Sequence, residues 1–166
     1  MRALIPCAAV FVMMTPIPAR AAHPGPELTY YTNAYADHYG VPRALFKAII
    51  EQESGWNPYA FSGKGAAGLT QLMPGTAQMY DVYNRYSRNE NLSGGARYLA
   101  DLLREFHGEL RLVVAAYYCG SQPLERRGLS YRNPQVVAYV EAVRQRYERY
   151  LREEQLHRTS LPAGGQ

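Results

Sequence analysis

The stretch VPRALFKAIIEQESG, residues 41–55, constrains the fold more than any other part of the chain. Leu45, Phe46, Ile49 and Ile50 recur at helical spacing. At about 100° per residue they form one apolar stripe. Pro42 suits the first turn, where a missing N–H costs nothing, and Gly55 suits the position just past the end. Glu53 follows Ile50 by three residues and Ile49 by four, so it falls inside the stripe at the last turn. Glu51 falls on the opposite side, four residues after Lys47, and reads as a solvated residue paired with Lys47.

The two glutamates therefore carry different expectations. A carboxyl on an inner face costs several kcal/mol (about 2–7) unless it is paired or neutral. Desolvation raises its pKa, and a raised-pKa glutamate is what a general acid at neutral pH needs. The competing reading of Glu53 is structural, a core carboxyl bonded to backbone or capping the next loop.

The same periodicity recurs along the chain. A first helix is expected over PELTYYTNAYADHYG, apolar at Leu28, Tyr31, Ala34 and Tyr35. After residue 55 a Gly-, Ser- and Pro-rich stretch reads as loop or short hairpin, then a helix start at PGTAQMY and a polar connection over VYNRYSRNEN. NLSGGARYLADLLREFHG turns Leu92, Gly95, Leu99, Leu102, Leu103 and Phe106 inward, and Gly94-Gly95 predicts close approach of another backbone. ELRLVVAAYYCG is a short core helix and SQPLERRGLSYR a loop. The last helix starts with Asn133 as cap and Pro134 at its first position, with a stripe at Val136, Val140, Val143, Tyr147 and Leu151. The fold class is mostly α, with one Gly-rich loop or hairpin beside the helices.

The first residues are not part of this domain. Arg2, an apolar run from Ala3 to Met14 and the small-x-small triplet Ala19-Arg20-Ala21 read as a signal peptide over 1–21. The domain then spans 22–155, with a disordered tail over 156–166. Almost no apolar run precedes Cys7, so LIPC is not read as a lipoprotein signal, and no membrane span is expected once the signal is removed. Losing Arg2 and Arg20 lowers the formal charge from +4 to about +2. The remaining basic residues interleave with acids, which argues against a nucleic-acid partner. Cys119 is left without an internal disulfide partner. His38, His107 and His157 lack ligand spacing, so neither a metal nor a cofactor is expected. The SGKG at Ser62–Gly65 has the wrong glycine spacing for a phosphate loop. Of the 15 tyrosines, a subset exposed in a groove would suit sugars, whose C–H faces stack on aromatic rings.

From IIEQESGWNPYAFSGKGAAGLTQLMPGTA onward the chain resembles the catalytic domain of the soluble lytic transglycosylases, over roughly residues 28–150. The resemblance rests on an ordered set: Glu53-Ser54, then Ala60, Ser62, Gly65, Ala66, Gly68, Leu69 and Gln71, then Asn91, Leu92, Gly95, Tyr98 and Leu99, then Ala116-Tyr117, then Tyr139-Val140. It implies a goose-type-lysozyme-like helical fold and cleavage of peptidoglycan between N-acetylmuramic acid and N-acetylglucosamine. The product would be a 1,6-anhydromuramyl end, with Glu53 as the single acid/base. It implies substrate-orienting roles for Ser62 and Gln71, a groove position for Met73, and active-site positions for Tyr117 and Tyr139. For Gln71 the alternative is holding the loop; for Tyr139 it is packing. Asp81 and Asp101 are the acids that folding could bring beside Glu53. The family's Ala-Tyr-Asn reads Ala116-Tyr117-Tyr118 here. A tyrosine at 118 would narrow the site near the acetamido pocket, so Tyr118→Asn is expected to leave activity unchanged or raised. A lysozyme-type hydrolase and a non-catalytic wall-binding protein are the alternative functions. A monomer in the periplasm or secreted is expected, with a secretion or pilus system as possible partner. N-terminal sequencing of the exported protein should begin at Ala22; lipidation at Cys7 would contradict the signal-peptide reading.

Overall fold

A computed structural model describes residues 24–160. The expected signal peptide, the Ala22 terminus and the last six residues lie outside the described residues. Seven α-helices follow in order: α1 Pro26–His38, α2 Arg43–Ser54, α3 Pro74–Met79, α4 Arg88–Glu105, α5 Leu110–Cys119, α6 Gln122–Arg127 and α7 Pro134–Ser160. A 3₁₀ turn at Gly128–Ser130 joins α6 to α7.

The central contact is α2 against α7, with α5 also on α7 and α1 and α4 closing the other side. α2 supplies the middle of the core, where Leu45, Phe46, Ile49 and Ile50 are at most 1% exposed. Around them pack Leu92, Leu99 and Leu102 of α4, Val113 and Ala116 of α5, and Val136 and Val143 of α7. Pro42 sits one position before the first helical turn, and Gly55 closes α2 at φ 57°, its N–H on the Glu51 carbonyl. Asn133 caps α7, its Oδ1 accepting from the backbone N–H of Gln135 at 2.9 Å.

Several elements depart from the sequence reading. The buried face of α1 is Thr32 and Ala36, while Ala34 is exposed. Thr32 tolerates this because its hydroxyl donates to the Leu28 carbonyl at 2.8 Å. α4 begins at Arg88 rather than near Asn91: Ser87 caps it by accepting from the Glu90 N–H, a Ser-x-x-Glu start hidden in the polar connection. The expected loop after α5 contains α6, whose Leu124 is buried. α7 runs through residues assigned to the tail, as far as Ser160.

The Gly-rich segment forms a small hairpin-like loop with two isolated antiparallel bridges, Phe61 to Ala67 and Ala67 to Leu72. Asn91, 1% exposed on α4, holds it. Its Oδ1 accepts from the Thr70 N–H and hydroxyl, both at 2.8 Å. Its Nδ2 donates to the carbonyls of Ala67 at 3.0 Å and Arg85 at 2.9 Å. The close approach expected at Gly94-Gly95 is made by side chains, not by backbone: a Cβ on Gly95 would lie 2.5 Å from Thr70 Cγ2, and one on Gly94 2.4 Å from Val82 Cγ2. Gly95→Ala should therefore destabilise by about 2 kcal/mol in a urea melt, although alanine is the better helix former. A neutral or stabilising result would show that Thr70 yields.

Candidate active site

Glu53 occupies the last turn of α2, where the helix stripe meets α5 and α7. The residue is half-buried, and its carboxyl faces Tyr139 of α7 and Tyr117 and Tyr118 of α5. Tyr139, 7% exposed, donates its hydroxyl to Glu53 Oε1. Burial pushes the Glu53 carboxyl up to about 7, and the Tyr139 hydrogen bond opposes that rise only in part. The same burial, with the nearby carboxylate, raises the phenols of Tyr117 and Tyr139 well above their usual range. They are therefore neutral donors at every physiological pH.

The three tyrosines are fixed differently. Tyr117 donates to the Thr70 carbonyl at 2.9 Å, and its ring lies 5.0 Å from that of Tyr98. Its hydroxyl is thus committed to the Gly-rich loop. Tyr98 in turn reaches the Ala116 carbonyl at 3.3 Å. Tyr118 turns onto Tyr139, with ring centroids 4.6 Å apart and planes inclined by 27°.

On the loop, Ser62 accepts the Ala66 N–H at 3.0 Å and closes its own turn. Gln71 has φ 48° and spends its Nε2 on the carbonyls of Ala60 at 3.0 Å and Gly68 at 2.9 Å, so it ties the loop down. Its amide oxygen is the end these two bonds do not use. Met73 sits at the N-cap position of α3, makes no side-chain capping bond and is half-buried. The loop is linked to the glutamate helix through the Asn57 N–H on the Ser54 carbonyl. Thr70 and Asn91, which place the loop against Tyr117, were not singled out as site-building residues. The available signal was a polar residue, Asn91, on the apolar stripe of α4, one turn before Gly95.

Glu51 corrects the sequence reading. Its side chain is only 13% exposed, and Lys47 pairs instead with Glu154 at 3.1 Å. Glu51 accepts from Arg149 and from the Tyr150 hydroxyl, both at 2.5 Å, and lies 3.4 Å from Arg146. α7 covers the face that the isolated helix would leave to solvent. Asp81 is paired with Arg97 at 3.6 Å, and Asp101 accepts from Tyr80 at 2.8 Å and pairs with Arg104. The expected stripe of α7 leads elsewhere: Val136, Val140, Val143 and Tyr147 line an apolar groove of about 550 Å³ with Leu45 and Val114, and none of the expected site residues belongs to it. Among the described residues no group of three or more His, Cys, Asp or Glu could hold a metal ion, and no helix is long and apolar enough to cross a membrane.

A helical core, a carboxyl shielded among phenols at a helix end and a Gly-rich loop tied to the neighbouring Tyr117 have the character of a lysozyme-like domain. Residues 30–137 match the transglycosylase SLT domain, and the chain belongs to that family. It is 36% identical over 88 residues to a transglycosylase of Enterobacteria phage PRD1, covering 53% of this chain and 33% of that protein. It is 40% identical over 112 residues to membrane-bound lytic murein transglycosylase F of Salmonella choleraesuis, covering 63% and 21%. Among solved structures, the lytic transglycosylase Slt of Pseudomonas aeruginosa, in an inactive mutant form, superposes with a TM-score of 0.71 at 25% identity, covering 76% of this chain and 24% of that one. The 70-kDa soluble lytic transglycosylase of Escherichia coli gives 0.66 at 26% identity, covering 74% and 24%. This chain thus spans a fifth to a third of the length of these curated relatives.

The two glutamates should respond oppositely to amidation. A carboxyl whose folded pKa is raised from 4.5 to about 7 binds its proton more tightly in the folded state. The stability it contributes is full below pH 4.5 and lost as pH rises through 7. Relative to wild type, Glu53→Gln should therefore gain about 1–3 kcal/mol between pH 5 and pH 8. Glu51→Gln should cost about 1–3 kcal/mol, because it leaves Arg146 and Arg149 without their carboxylate. Urea melts at the two pH values check both; a Glu53→Gln gain that does not depend on pH would contradict the buried acid.

Proposed function

We propose that this chain is a lytic transglycosylase that cleaves the β-1,4 bond between N-acetylmuramic acid and N-acetylglucosamine in peptidoglycan, with Glu53 as its single acid/base. The observation that carries this reading is the geometry of the Glu53 carboxyl: shielded at the end of α2 and bonded to a neutral phenol rather than to a cation, an environment whose burial pushes its pKa up to about 7. Membership of the transglycosylase SLT family and likeness to the two solved lytic transglycosylases support it.

In the first step Glu53 gives its proton to the glycosidic oxygen as the C1–O bond breaks. The N-acetylmuramyl acetamido oxygen bonds to C1 and holds the developing positive charge. The Glu53 carboxylate then takes the proton of the same sugar's C6 hydroxyl, whose oxygen displaces the acetamido group from C1. The 1,6-anhydro ring forms, Glu53 is protonated again, and no water is consumed. Most glycosidases place a second carboxylate to act as nucleophile or to activate water. Here the substrate supplies that function, and Asp81 and Asp101 are engaged with other partners. Tyr139 steadies the carboxylate form between the two steps. Ser62, Gln71 and Met73 face the glycan from the loop, Gln71 through its amide oxygen, with Tyr117 and Tyr118 on the helical side. The enzyme works in the periplasm or outside the cell as a monomer, opening the wall locally for a secretion or pilus system. The location is inferred from the signal-like composition of residues 1–21, and the secretion or pilus partner is part of the same proposal.

Purified residues 22–166 should release fragments from sacculi that carry anhydro ends, lighter by one water than hydrolytic products and inert to borohydride. Mass spectrometry reads this directly. Reducing ends would identify a hydrolase, and binding without release a non-catalytic wall protein. Glu53→Gln should lower release at least about a hundredfold. The wild-type rate should fall as pH rises above about 7, where the acid form is lost. The solved complex of a 70-kDa soluble lytic transglycosylase with bulgecin A supplies a probe: bulgecin A should bind this domain and inhibit it.

A further inference from the structure

Position 118 carries a tyrosine where the family pattern has asparagine. An amide there would offer hydrogen-bonding groups to a sugar; the phenol ring does something else. It lies face to face with Tyr139, centroids 4.6 Å apart and planes 27° from parallel. Tyr139 is the residue whose hydroxyl sits on Glu53 Oε1. Two carboxylate-facing rings, one from α5 and one from α7, are therefore clamped to each other across the helix junction. A ring attached at Cβ has two torsions, and stacking against a second ring removes most of their freedom.

We propose that Tyr118 is a positioning residue for the reaction: its ring holds Tyr139 in the one orientation that keeps the Tyr139 hydroxyl on the Glu53 carboxyl. The inference rests on Glu53 being the acid/base, and it assigns to α5 a role exerted wholly through α7. The hydrogen bond it maintains favours the carboxylate, so it sets how readily Glu53 parts with its proton. The titratable groups facing Glu53 are Tyr139 of α7 and Tyr117 and Tyr118 of α5, with Tyr98 of α4 behind them. Tyr117 is already fixed by the Thr70 carbonyl and by Tyr98, so the freedom left to be removed is that of Tyr139. The stacking reverses the expectation drawn from sequence: Tyr118→Asn should impair the site rather than open it.

The test follows the Glu53 carboxyl by ¹³C NMR titration, with its resonance assigned by Glu53→Gln, in parallel with fragment release from sacculi. Tyr118→Phe keeps the stack and should keep the titration midpoint. Tyr118→Asn should move the midpoint up by about half a pH unit or more, because the Tyr139 hydrogen bond is lost part of the time. It should slow release by about tenfold. In a Tyr139→Phe background, where the hydroxyl is already gone, Tyr118→Asn should add no further upward shift. The proposal is overturned if Tyr118→Phe behaves like Tyr118→Asn, or if the shift persists in the Tyr139→Phe background. A downward shift also overturns it, since that is the mark of water entering the vacated space and means Tyr118 only shields the carboxyl. The titration needs no turnover, so absence of release by the wild type would sink the enzymatic reading and leave the positioning result to be judged separately.

Discussion

The crossing of α2 and α7 is the constraint on which the site depends. Along it run Lys47 to Glu154, then Glu51 to Arg149, Tyr150 and Arg146, and finally Glu53 to Tyr139. Trp56 adds a hydrogen bond from Nε1 to the Tyr150 hydroxyl at 3.2 Å. The ionic part sits at one end of the crossing, where side chains are only partly exposed and truncating one partner leaves a charge stranded. That anchoring fixes the axial position of α7. A helix that slid or rotated by one residue would turn Tyr139 about 100° away from Glu53.

Two carboxylates two residues apart thus meet opposite environments on one helix. Glu51 faces two guanidinium groups and a phenol, and its carboxylate belongs to a charged network. Glu53 faces phenols, which donate a hydrogen bond but bring no charge, so desolvation prevails and its pKa rises to about 7. Here the division follows from which face of α2 α7 covers with arginine and which it covers with tyrosine.

The Gly-rich loop is positioned by a polar network in addition to the apolar packing of Leu69 and Leu72. The Asn91 side chain makes three hydrogen bonds to Ala67 and Thr70 of the loop and one to Arg85, and Tyr117 adds another to Thr70. A buried amide with every group satisfied specifies geometry more sharply than a methyl contact does, because any shift leaves a polar atom unpaired. The absence of a side chain at Gly68 and Gly95 is part of the same arrangement. A Cβ at Gly68 would lie 2.2 Å from Asn91 Nδ2, and one at Gly95 would strike Thr70.

Helix periodicity, caps and glycine stops lie in the sequence because they depend on neighbours three or four positions away. The stripe of α2, its stop at Gly55, the cap at Asn133 and the inward placement of Glu53 were all legible on those grounds. The capping pair Ser87 and Glu90 is equally local, but the polar run around it reads as a connection. The fate of Glu51 was not legible: its partners lie 95 to 99 residues away, and an isolated helix offers that face to water. The same holds for Tyr118, whose ring finds Tyr139 on another helix. The sequence by itself determined which residues turn inward on α2 and α4, where the apolar stripe is continuous, but not on α1, whose buried face is Thr32 and Ala36. Only the tertiary structure decided what each of them meets there, because burial, charge pairing and ring stacking are set by residues distant in the chain.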